Sequence, residues 1–471
     1  MGESLINVEG FSFTYSESEE GIQNINFSAE AGEVILLTGN SGSGKSTLLK
    51  CLNGLIPEIT EGELKGKIML RGRDYANLKM HELNSDVGSV FQNPRSQFFT
   101  ENTTAELVFP MENYGYSKEE MAKRLEELVK EFSLEKLLDR SIYTLSSGQR
   151  QMVALASSLT MDQKLLLFDE PSANLDYGNA MKLGRLIGKL KDEGMTIIVS
   201  DHRFYYLNGM IDKVLFMEEG KLTVYQSEEA FKCSGYNTRS FDIFRLDTPF
   251  AKKGRETESV ASMEGIAYKD ILKNINLELR KGETLVIVGA NGAGKTTLAK
   301  LLCKSIRPDY GKIRVKGLPF FIMQDPDYQL FGTSVHNELA IVKKDEDAIN
   351  QYLEHFNLRK YKHTHPFALS GGQKQRLQIA MAMLCGKEVI IFDEPTSGLD
   401  VNSMLRVSGE ITKLSNEASV VVISHDYEFI RNVANRIIYL RDGSVQEQFD
   451  LNAENLPRLN AIFMQMEKDA E

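Results

Sequence analysis

Short runs of consecutive apolar residues recur along the chain, and turn-forming or charged residues bound them. The clearest are Val34–Thr38, Leu165–Phe168, Thr284–Val288 and Val389–Phe392. Runs of this length that do not alternate with polar residues are typical of strands buried on both faces of a parallel sheet. The pattern therefore predicts buried parallel strands in both halves of the chain.

Other segments carry their apolar residues at the period of a helix. Between Lys118 and Phe132, and again between Asp345 and Phe356, apolar side chains return every three or four positions. Such a stripe predicts an amphipathic helix that packs its apolar face on a core. Helices and buried strands in one chain favour the α/β class.

Two of the predicted strands run directly into glycine-rich loops of the form GxxxxGK[ST]. In such a loop, backbone N–H groups surround phosphate oxygens, and the lysine reaches the β- and γ-phosphates. The hydroxyl of the next residue, Ser46 or Thr296, binds Mg²⁺. The pattern predicts ATP and Mg²⁺ as ligands of two phosphate-binding loops (P-loops): Gly39, Asn40, Ser41, Gly42, Ser43, Gly44, Lys45, Ser46 and Thr47, and Gly289, Ala290, Asn291, Gly292, Ala293, Gly294, Lys295, Thr296 and Thr297.

The P-loops belong to an internal repeat that spans nearly the whole chain. LFDEP at 167–171 returns as IFDEP at 391–395, and LSSGQRQ at 145–151 returns as LSGGQKQ at 369–375. Two copies of a nucleotide-binding domain account for these repeats. We expect a first domain at 1–235, a linker at 236–262, a second domain at 263–449 and a C-terminal tail at 450–471.

Composition narrows the function classes. Of the 471 residues, 42% are hydrophobic and 26% are charged, which is ordinary for a globular protein. A net charge of −11 argues against nonspecific nucleic-acid binding, which favours a basic face. No apolar run is long enough to predict a transmembrane helix, and the N-terminus does not resemble a signal peptide.

The order of motifs in each half resembles the ATPase subunits of ABC transporters. It comprises the P-loop, a glutamine loop (VFQNPRSQFF at 90–99 and IMQDPDYQLF at 322–331), the LSxGQ signature, an apolar strand ending in Asp-Glu, and a strand ending in histidine. The extended glutamine loops resemble the A components of energy-coupling factor (ECF) importers. The resemblance implies two ABC-type domains, each with a RecA-like core, a helical subdomain and an antiparallel β subdomain.

The resemblance also assigns catalytic and metal-binding roles. Asp169 and Asp393 end apolar strands beside the phosphates, where a carboxylate holds the Mg²⁺ shell. Each is followed by a glutamate that is free to orient the attacking water. Further residues complete the implied set: Glu170 and Glu394 as catalytic carboxylates, His202 and His425 as switch histidines, and Gln92 and Gln324 as Mg²⁺ sensors.

The remaining ATP contacts come from an aromatic residue and from the signature motif. Tyr15 and Tyr268 precede the P-loops and are candidates to stack on adenine, although Phe13 competes with Tyr15. The signature residues Ser146, Ser147, Gly148 and Gln149, and Ser370, Gly371, Gly372 and Gln373, open helices whose N-termini favour anions. The family pairs its domains head to tail, which implies two composite ATP sites. Asn174–Asp176 and 398–400 match the D-loop.

These features predict the ATP-hydrolysing motor of a membrane importer, located at the cytoplasmic face of the membrane. The implied partners are a transmembrane coupling subunit and a substrate-binding membrane subunit, with no nucleic acid. Candidate docking residues beside the glutamine loops are Phe98, Phe99, Leu330 and Phe331. The alternative is a tandem ABC ATPase that acts on ribosomes, although that branch has a long basic linker and LSGGE signatures.

Overall fold

The computed structural model describes residues 4–16, 20–93, 96–161, 163–251 and 258–470, except for the side chain of Ser147. Their contacts divide them into two units. The first contains residues up to Leu175 and Asn179–Asp242, and the second contains Asp176–Gly178 and Ile243–Glu471. Each unit repeats the same α/β architecture, as the sequence repeat predicts.

The elements that begin in the first half of the sequence comprise two sheets and their flanking helices. The strands are β1 (Ser4–Tyr15), β2 (Gly21–Glu30), β3 (Val34–Gly39), β4 (Gly62–Leu70), β5 (Arg73–Asp74), β6 (Val87–Val90), β7 (Leu165–Asp169), β8 (Thr196–Ser200), β9 (Lys213–Glu218) and β10 (Lys221–Tyr225). The helices are α1 (Lys45–Leu52), α2 (Leu55–Glu58), α3 (Met80–Asp86), α4 (Thr103–Asn113), α5 (Lys118–Phe132), α6 (Ser147–Ser158), α7 (Tyr177–Asp192) and α8 (Glu228–Lys232).

The elements of the second half follow the same plan. The strands are β11 (Ser259–Tyr268), β12 (Leu272–Arg280), β13 (Thr284–Val288), β14 (Tyr310–Val315), β15 (Phe320–Ile322), β16 (Val389–Asp393), β17 (Ser419–Ile423), β18 (Arg436–Arg441) and β19 (Ser444–Asp450). The helices are α9 (Lys295–Leu302), α10 (Val335–Val342), α11 (Glu346–His355), α12 (Gly371–Leu384), α13 (Val401–Leu414), α14 (Tyr427–Val433) and α15 (Leu456–Ala470).

A six-stranded sheet forms the centre of each unit. The strand orders are β10-β9-β3-β8-β7-β6 in the first unit and β15-β16-β17-β13-β18-β19 in the second. All neighbours are parallel except the edge pairs β9–β10 and β18–β19. The carboxyl ends of the parallel strands therefore meet at one edge, where ligands bind in open α/β sheets.

The buried strands supply both faces of the core, because side chains alternate along a strand. In β3, Val34 and Leu36 join the apolar cluster on one face, whereas Ile35 and Leu37 join the cluster on the other. A sheet covered on both faces needs apolar residues at every position. This requirement explains why the predicted strands read as continuous apolar runs.

A separate antiparallel sheet and a group of helices complete each unit. The antiparallel sheets have the orders β2-β1-β4-β5 and β12-β11-β14. The helices α4–α6 of the first unit correspond to α10–α12 of the second. Both predicted amphipathic helices form: α5 begins after a capping box at Ser117, and α11 begins after Asp345, whose side chain accepts a hydrogen bond from Ala348 N–H. The fold predicted from the family resemblance is confirmed.

The predicted linker is ordered at both of its described ends. In the first unit, the Phe241 ring lies 4.5 Å from that of Phe204. In the second unit, Arg431 donates a hydrogen bond to Thr248 O at 2.9 Å and lies over the Phe250 ring. Strand β11 begins at Ser259, four positions before the predicted boundary at 263, because Val260 and Ala261 are buried in the second core.

The C-terminal tail forms α15, and its apolar stripe is buried in the second unit. Leu459, Ile462, Phe463 and Met466 are all excluded from solvent. Among the helices that the structure describes, none is both long enough and apolar enough to cross a membrane.

Candidate nucleotide-binding site

The first P-loop connects β3 to α1 at the carboxyl edge of the central sheet. Gly44 has a φ of 104° there, and a Cβ atom at this position would lie 2.7 Å from the Ile22 side chain. Only glycine fits both the conformation and the space. The turn aims the Lys45 ammonium back across the loop, where it donates hydrogen bonds to Gly39 O and Asn40 O at 3.0 Å.

The second P-loop repeats this geometry. Lys295 is buried and donates to Gly289 O at 2.7 Å and Ala290 O at 2.9 Å. Burial lowers the pKa of this ammonium group, whereas nearby carboxylates oppose the shift. The N–H donors of Lys295 are therefore shielded from water, which would strengthen their hydrogen bonds to phosphate oxygens.

A hydroxyl and a carboxylate meet at the position predicted for Mg²⁺ in each unit. Ser46 Oγ lies 3.2 Å from Asp169 Oδ1, and Thr296 Oγ1 lies 2.7 Å from Asp393 Oδ2. Burial raises the pKa of Asp169, and burial raises that of Asp393 to about 6. Buried oxygen ligands of this kind suit a hard divalent cation, which would stabilise the ionised form.

The two candidate catalytic glutamates share a constrained backbone conformation. Glu170 has a φ of 47° and Glu394 a φ of 51°, which is uncommon for residues other than glycine. The neighbouring strand holds both, since Glu170 N–H donates to Ser200 O at 2.7 Å and Glu394 N–H donates to Ile423 O at 2.9 Å. The carboxylates are thereby fixed in equivalent places beside the aspartates.

The same hydrogen bonds align the histidines of the two halves. In each half, the strand residue whose carbonyl accepts the hydrogen bond from the glutamate lies two positions before the histidine. His202 and His425 therefore occupy equivalent positions in the two halves. One additional residue between Glu170 and β8 accounts for the unequal spacing in the sequence. His202 Nε2 lies 3.5 Å from Glu170 Oε1, and His425 Nδ1 lies 2.6 Å from Glu394 Oε1.

Two buried polar atoms, one in the first P-loop and one beside the glutamate of the second unit, indicate places where a ligand would bind. His425 Nε2 and Ser43 Oγ are both buried, and neither has a hydrogen-bond partner among the described residues. A buried polar group without a partner is costly, because it has lost its contacts with water. The oxygens of a bound phosphate chain would satisfy such groups.

The alignment shows that the two sites differ next to the glutamate. Asp201 occupies the place of Ser424, and it accepts hydrogen bonds from Ser172 N–H, His202 N–H and the Tyr206 hydroxyl. Burial and the charges of Asp201 and Asp169 raise the pKa of Glu170 to about 8. The difference is visible in the sequence, because the first half has the order Ser-Asp-His-Arg at 200–203 where the second half has Ser-His-Asp at 424–426.

In the first unit, a cavity of about 360 Å³ brings most of these groups together. The P-loop, Glu170 and His202 line it, and Tyr15 lies at its wall. Phe13 is fully buried against Tyr15, which separates the two aromatic candidates: Phe13 packs in the core. The Tyr15 hydroxyl also lies 2.9 Å from Thr47 Oγ1. Tyr268 has the equivalent place in β11, beneath the ammonium of Lys269.

The glutamine loops reach toward the glutamates. Gln92 Nε2 donates to Glu170 Oε2 at 2.7 Å, which joins the loop to the candidate catalytic carboxylate. A second glutamine in each loop, Gln97 or Gln329, fixes the loop to its strand through Ser89 O and Phe321 O. Sequence reasoning assigned no role to these two, although the repeated spacing contained the signal. Gln324 follows β15 in the second unit.

The candidate docking residues beside the glutamine loops divide into two kinds. Phe99 and Phe331 are 76% and 79% exposed. In contrast, Leu330 is buried, and Phe98 packs against the first core. The prediction that Leu330 contacts a partner was wrong, because the loop turns this side chain inward, whereas Phe98 remains partly exposed. Glu106 and Glu338 hold the exposed residues by accepting from the backbone N–H groups of Phe99 and Phe331.

Each signature motif begins a helix, as predicted. Ser146 and Ser370 are N-caps with capping boxes, in which Gln149 and Gln373 accept from the serine N–H at 2.9 Å. The first helical residues, including Ser147, Gly148, Gly371 and Gly372, present their N-terminal N–H groups. Among the described residues that line the cavity of the first unit, none belongs to the signature segment 146–149.

Comparison with known proteins agrees with the geometry. The family model described as ABC transporter matches residues 22–173 and 272–397. A Treponema denticola protein, provisionally named an ABC transporter ATP-binding protein, is 37% identical over 95% of this chain and 97% of its own length. A protein of Methanosarcina mazei with the same provisional name is 31% identical over 94% of this chain and 88% of its own length.

Solved structures share the fold. The archaeal ribosome recycling factor aABCE1, solved in complex with the ribosomal stalk protein aP1, superposes with a TM-score of 0.68 at 23% identity. The match covers 96% of this chain and 92% of that one. At this level of identity the likeness concerns the fold alone.

The raised pKa of Glu170 generates a prediction about stability. Between pH 4.5 and 8 the folded state keeps a proton that the unfolded state releases, so the free energy of unfolding falls as pH rises. Glu170→Gln removes this pH-dependent loss of stability, because glutamine does not titrate. We expect the melting temperature of the nucleotide-free variant to exceed that of the wild type by at least about 2 °C at pH 8, and by less at pH 5.

Differential scanning calorimetry at both pH values measures the difference. Glu394→Gln is the matched variant, and it should lower the melting temperature because it disrupts the 2.6 Å contact with His425. An equal effect of Glu170→Gln at both pH values would contradict the stated cause.

Proposed function

Because this chain belongs to the ABC transporter family and is an ATPase, we propose that it is the motor subunit of an ECF-type membrane importer. Such a motor would drive uptake of a vitamin, another micronutrient or a metal ion. The observation that carries the proposal is the pairing, in both halves, of a complete set of ATPase groups with an exposed phenylalanine on the adjacent glutamine loop. The hydrolytic groups are thus close to a surface that a membrane partner could contact.

The chemical roles follow from the positions of the side chains. Lys45 and Lys295 would bind the β- and γ-phosphates in place of the loop carbonyls that they now contact. Ser46 with Asp169, and Thr296 with Asp393, would hold Mg²⁺, and Gln92 and Gln324 would sense it. The cation neutralises phosphate charge when it is bound.

The glutamates and histidines act on the γ-phosphate side of the site. Glu170 and Glu394 would orient the attacking water, and an ionised carboxylate is needed to accept its proton. The unpartnered His425 Nε2 provides a contact for a γ-phosphate oxygen, and His202 has the equivalent place in the first unit. Tyr15 and Tyr268 would stack on adenine.

We further propose that each ATP lies between one P-loop and the signature of the other half. The N-terminal N–H groups of α6 and α12 are suited to phosphate oxygens, yet each P-loop already supplies a phosphate site. Asp176, which ends the first D-loop, belongs by its contacts to the second unit, where it accepts a hydrogen bond from Asn291 N–H at 2.7 Å. This contact with a P-loop supports a D-loop that takes part in a composite site.

The extended glutamine loops favour the ECF class over other importers. Gln97 and Gln329 belong to the part of the motif that distinguishes it, and both fix the loop that presents Phe99 and Phe331. A transmembrane coupling subunit would contact these aromatic residues, and a separate membrane subunit would select the cargo. The chain would then work as a peripheral protein on the cytoplasmic face of the membrane.

A ribosome-associated ATPase is the second candidate, since one solved structure with this fold is of a ribosome recycling factor. A net charge of −11 disfavours contact with ribosomal RNA, whose phosphates attract basic surfaces. The described parts of the connection that precede residue 252 also pack locally, Phe241 on the first unit and Thr248 on the second. We therefore favour the importer.

Removal of the two glutamates tests the catalytic assignment. In the double variant Glu170→Gln/Glu394→Gln, ATP turnover should fall by at least about 10²-fold while ATP still binds, since only water orientation is lost. Phosphate release and equilibrium nucleotide binding measure the two quantities separately. The assignment does not survive near-normal turnover in this variant.

Substitution of the exposed phenylalanines tests the importer. Phe99→Asp/Phe331→Asp should abolish co-purification with a polytopic membrane protein from detergent-solubilised membranes, because a buried aspartate at an apolar contact is costly. Its ATP binding should be unchanged. Tyr310→Asp is the control, since Tyr310 is 75% exposed on β14, away from the glutamine loop.

Two outcomes would contradict the importer. One is equal recovery of the membrane protein with the double variant and with the control. The other is recovery of ribosomal proteins in place of any membrane protein, which would favour the second candidate.

A further inference from the structure

A second cavity lies within the helical part of the second unit, away from the P-loop. It has a volume of about 230 Å³ and is bounded by the end of α11, by α12 and by α13. Gly372 of the signature motif lines it, as does Ser403, near the start of the helix that follows the D-loop. The cavity therefore adjoins both segments that we propose to contact ATP.

Two arginines with neighbouring positive charges line the cavity. Arg376 comes from α12 and Arg406 from α13, and burial together with the charge of Arg406 lowers the pKa of Arg376. Arg376 Nε donates to Phe356 O at 3.0 Å. Within the described parts of the chain, no carboxylate forms an ion pair with either guanidinium group. Two neighbouring guanidinium groups without a counter-ion are suited to an anion.

Three apolar side chains and one carboxylate also line the cavity, together with the polar residues His355, Asn357, Gln375 and Ser403. Phe356, Ile379 and Val407 are at least 95% buried and provide apolar contacts. Glu410 lies one helical turn after Arg406, and its Oε1 contacts His355 at 3.1 Å and Lys413 at 2.8 Å. Its Oε2 atom is buried and has no hydrogen-bond partner among the described residues. This oxygen requires a donor.

The first half of the chain fills the equivalent positions differently. At positions 224 residues earlier, Met152 replaces Arg376 and Leu186 replaces Glu410, and both pack in the apolar core of the first unit. Lys182 takes the place of Arg406. The fold therefore does not require the charged groups. Arg376 and Glu410 are partly buried, whereas Arg406 is exposed, and a bound ligand would offset the cost of the partly buried charges.

We propose that this cavity binds a small organic anion with an apolar body and an N–H donor, such as an amino acid with an aromatic side chain. Its carboxylate would lie between Arg376 and Arg406, its apolar part on Phe356, and its amino group at Glu410 Oε2. Because the site connects the signature helix to the helix after the D-loop, the ligand would modulate ATP turnover. This regulatory part rests on the proposed function, whereas binding does not.

L-Phenylalanine is the probe, and saturation-transfer NMR on the full-length protein measures binding without reference to ATPase activity. We expect the wild type to bind it with a dissociation constant below about 10 mM. Arg376→Met, which installs the residue of the first half, and Arg406→Ala should each weaken binding at least about tenfold. Glu410→Leu should weaken the binding of L-phenylalanine but not the binding of phenylacetate, which lacks the amino group.

Lys182→Ala is the matched control, because Lys182 has the position of Arg406 in the first half, and it should bind as the wild type does. Absence of binding at about 10 mM, or equal binding by Arg376→Met and the wild type, would overturn the site. If L-phenylalanine binds as described but ATP turnover does not change, the site stands and its regulatory role is refuted. Failure of the importer proposal would leave the binding result unaffected.

Discussion

The burial of several charged groups at the carboxyl edge of a parallel sheet is the constraint on which the rest of each unit depends. Three neighbouring strands (β3, β8 and β7, or β13, β17 and β16) end at this edge, so a lysine, an aspartate, a glutamate and a histidine converge there. Without water, each of these charges would be costly unless another group compensates it. The structure compensates them with loop carbonyls, hydroxyl groups, the amide of Gln92 and one another.

This constraint also explains why the backbone is unusual there. Both glutamates have a positive φ, and a strand carbonyl fixes both. Strain of this kind persists only where the surrounding structure holds it, and it is common at functional sites. A phosphate chain with its cation would add negative charge beside the lysines and positive charge beside the carboxylates. The arrangement is therefore prepared for a ligand rather than optimised for stability alone.

The two sites share this plan but differ in their electrostatics. Asp201 adds a negative charge behind Glu170, whereas the second site has Ser424 at that place. His425 is bound closely to Glu394, while His202 remains 3.5 Å from Glu170. The halves have also diverged beyond the sites: Arg376 and Glu410 border a cavity in the second unit, where the first has Met152 and Leu186. Duplication preserved the chemistry of the edge and left the surrounding helices free to change.

Much of this organisation could be predicted from the sequence. Continuous apolar runs identified the buried strands, because a strand covered on both faces has no polar position, and repeated motifs identified the residues at their ends. The sequence did not reveal that Leu330 turns inward beside the exposed Phe331, since a loop has no fixed period. Nor did it reveal the Arg376–Glu410 cavity, whose residues come from separate helices. The additional residue between Glu170 and β8 could be located only from the backbone hydrogen bonds of Glu170 and Glu394, which align the two halves.

The central claim is that both halves build complete nucleotide sites. Its most direct test is the number of ATP molecules bound by one chain, measured by equilibrium titration of the Glu170→Gln/Glu394→Gln variant so that hydrolysis does not intervene. The account predicts two ATP per chain, and the loss of one when either Lys45→Ala or Lys295→Ala is added. A stoichiometry of one ATP per chain before any lysine is removed would contradict it.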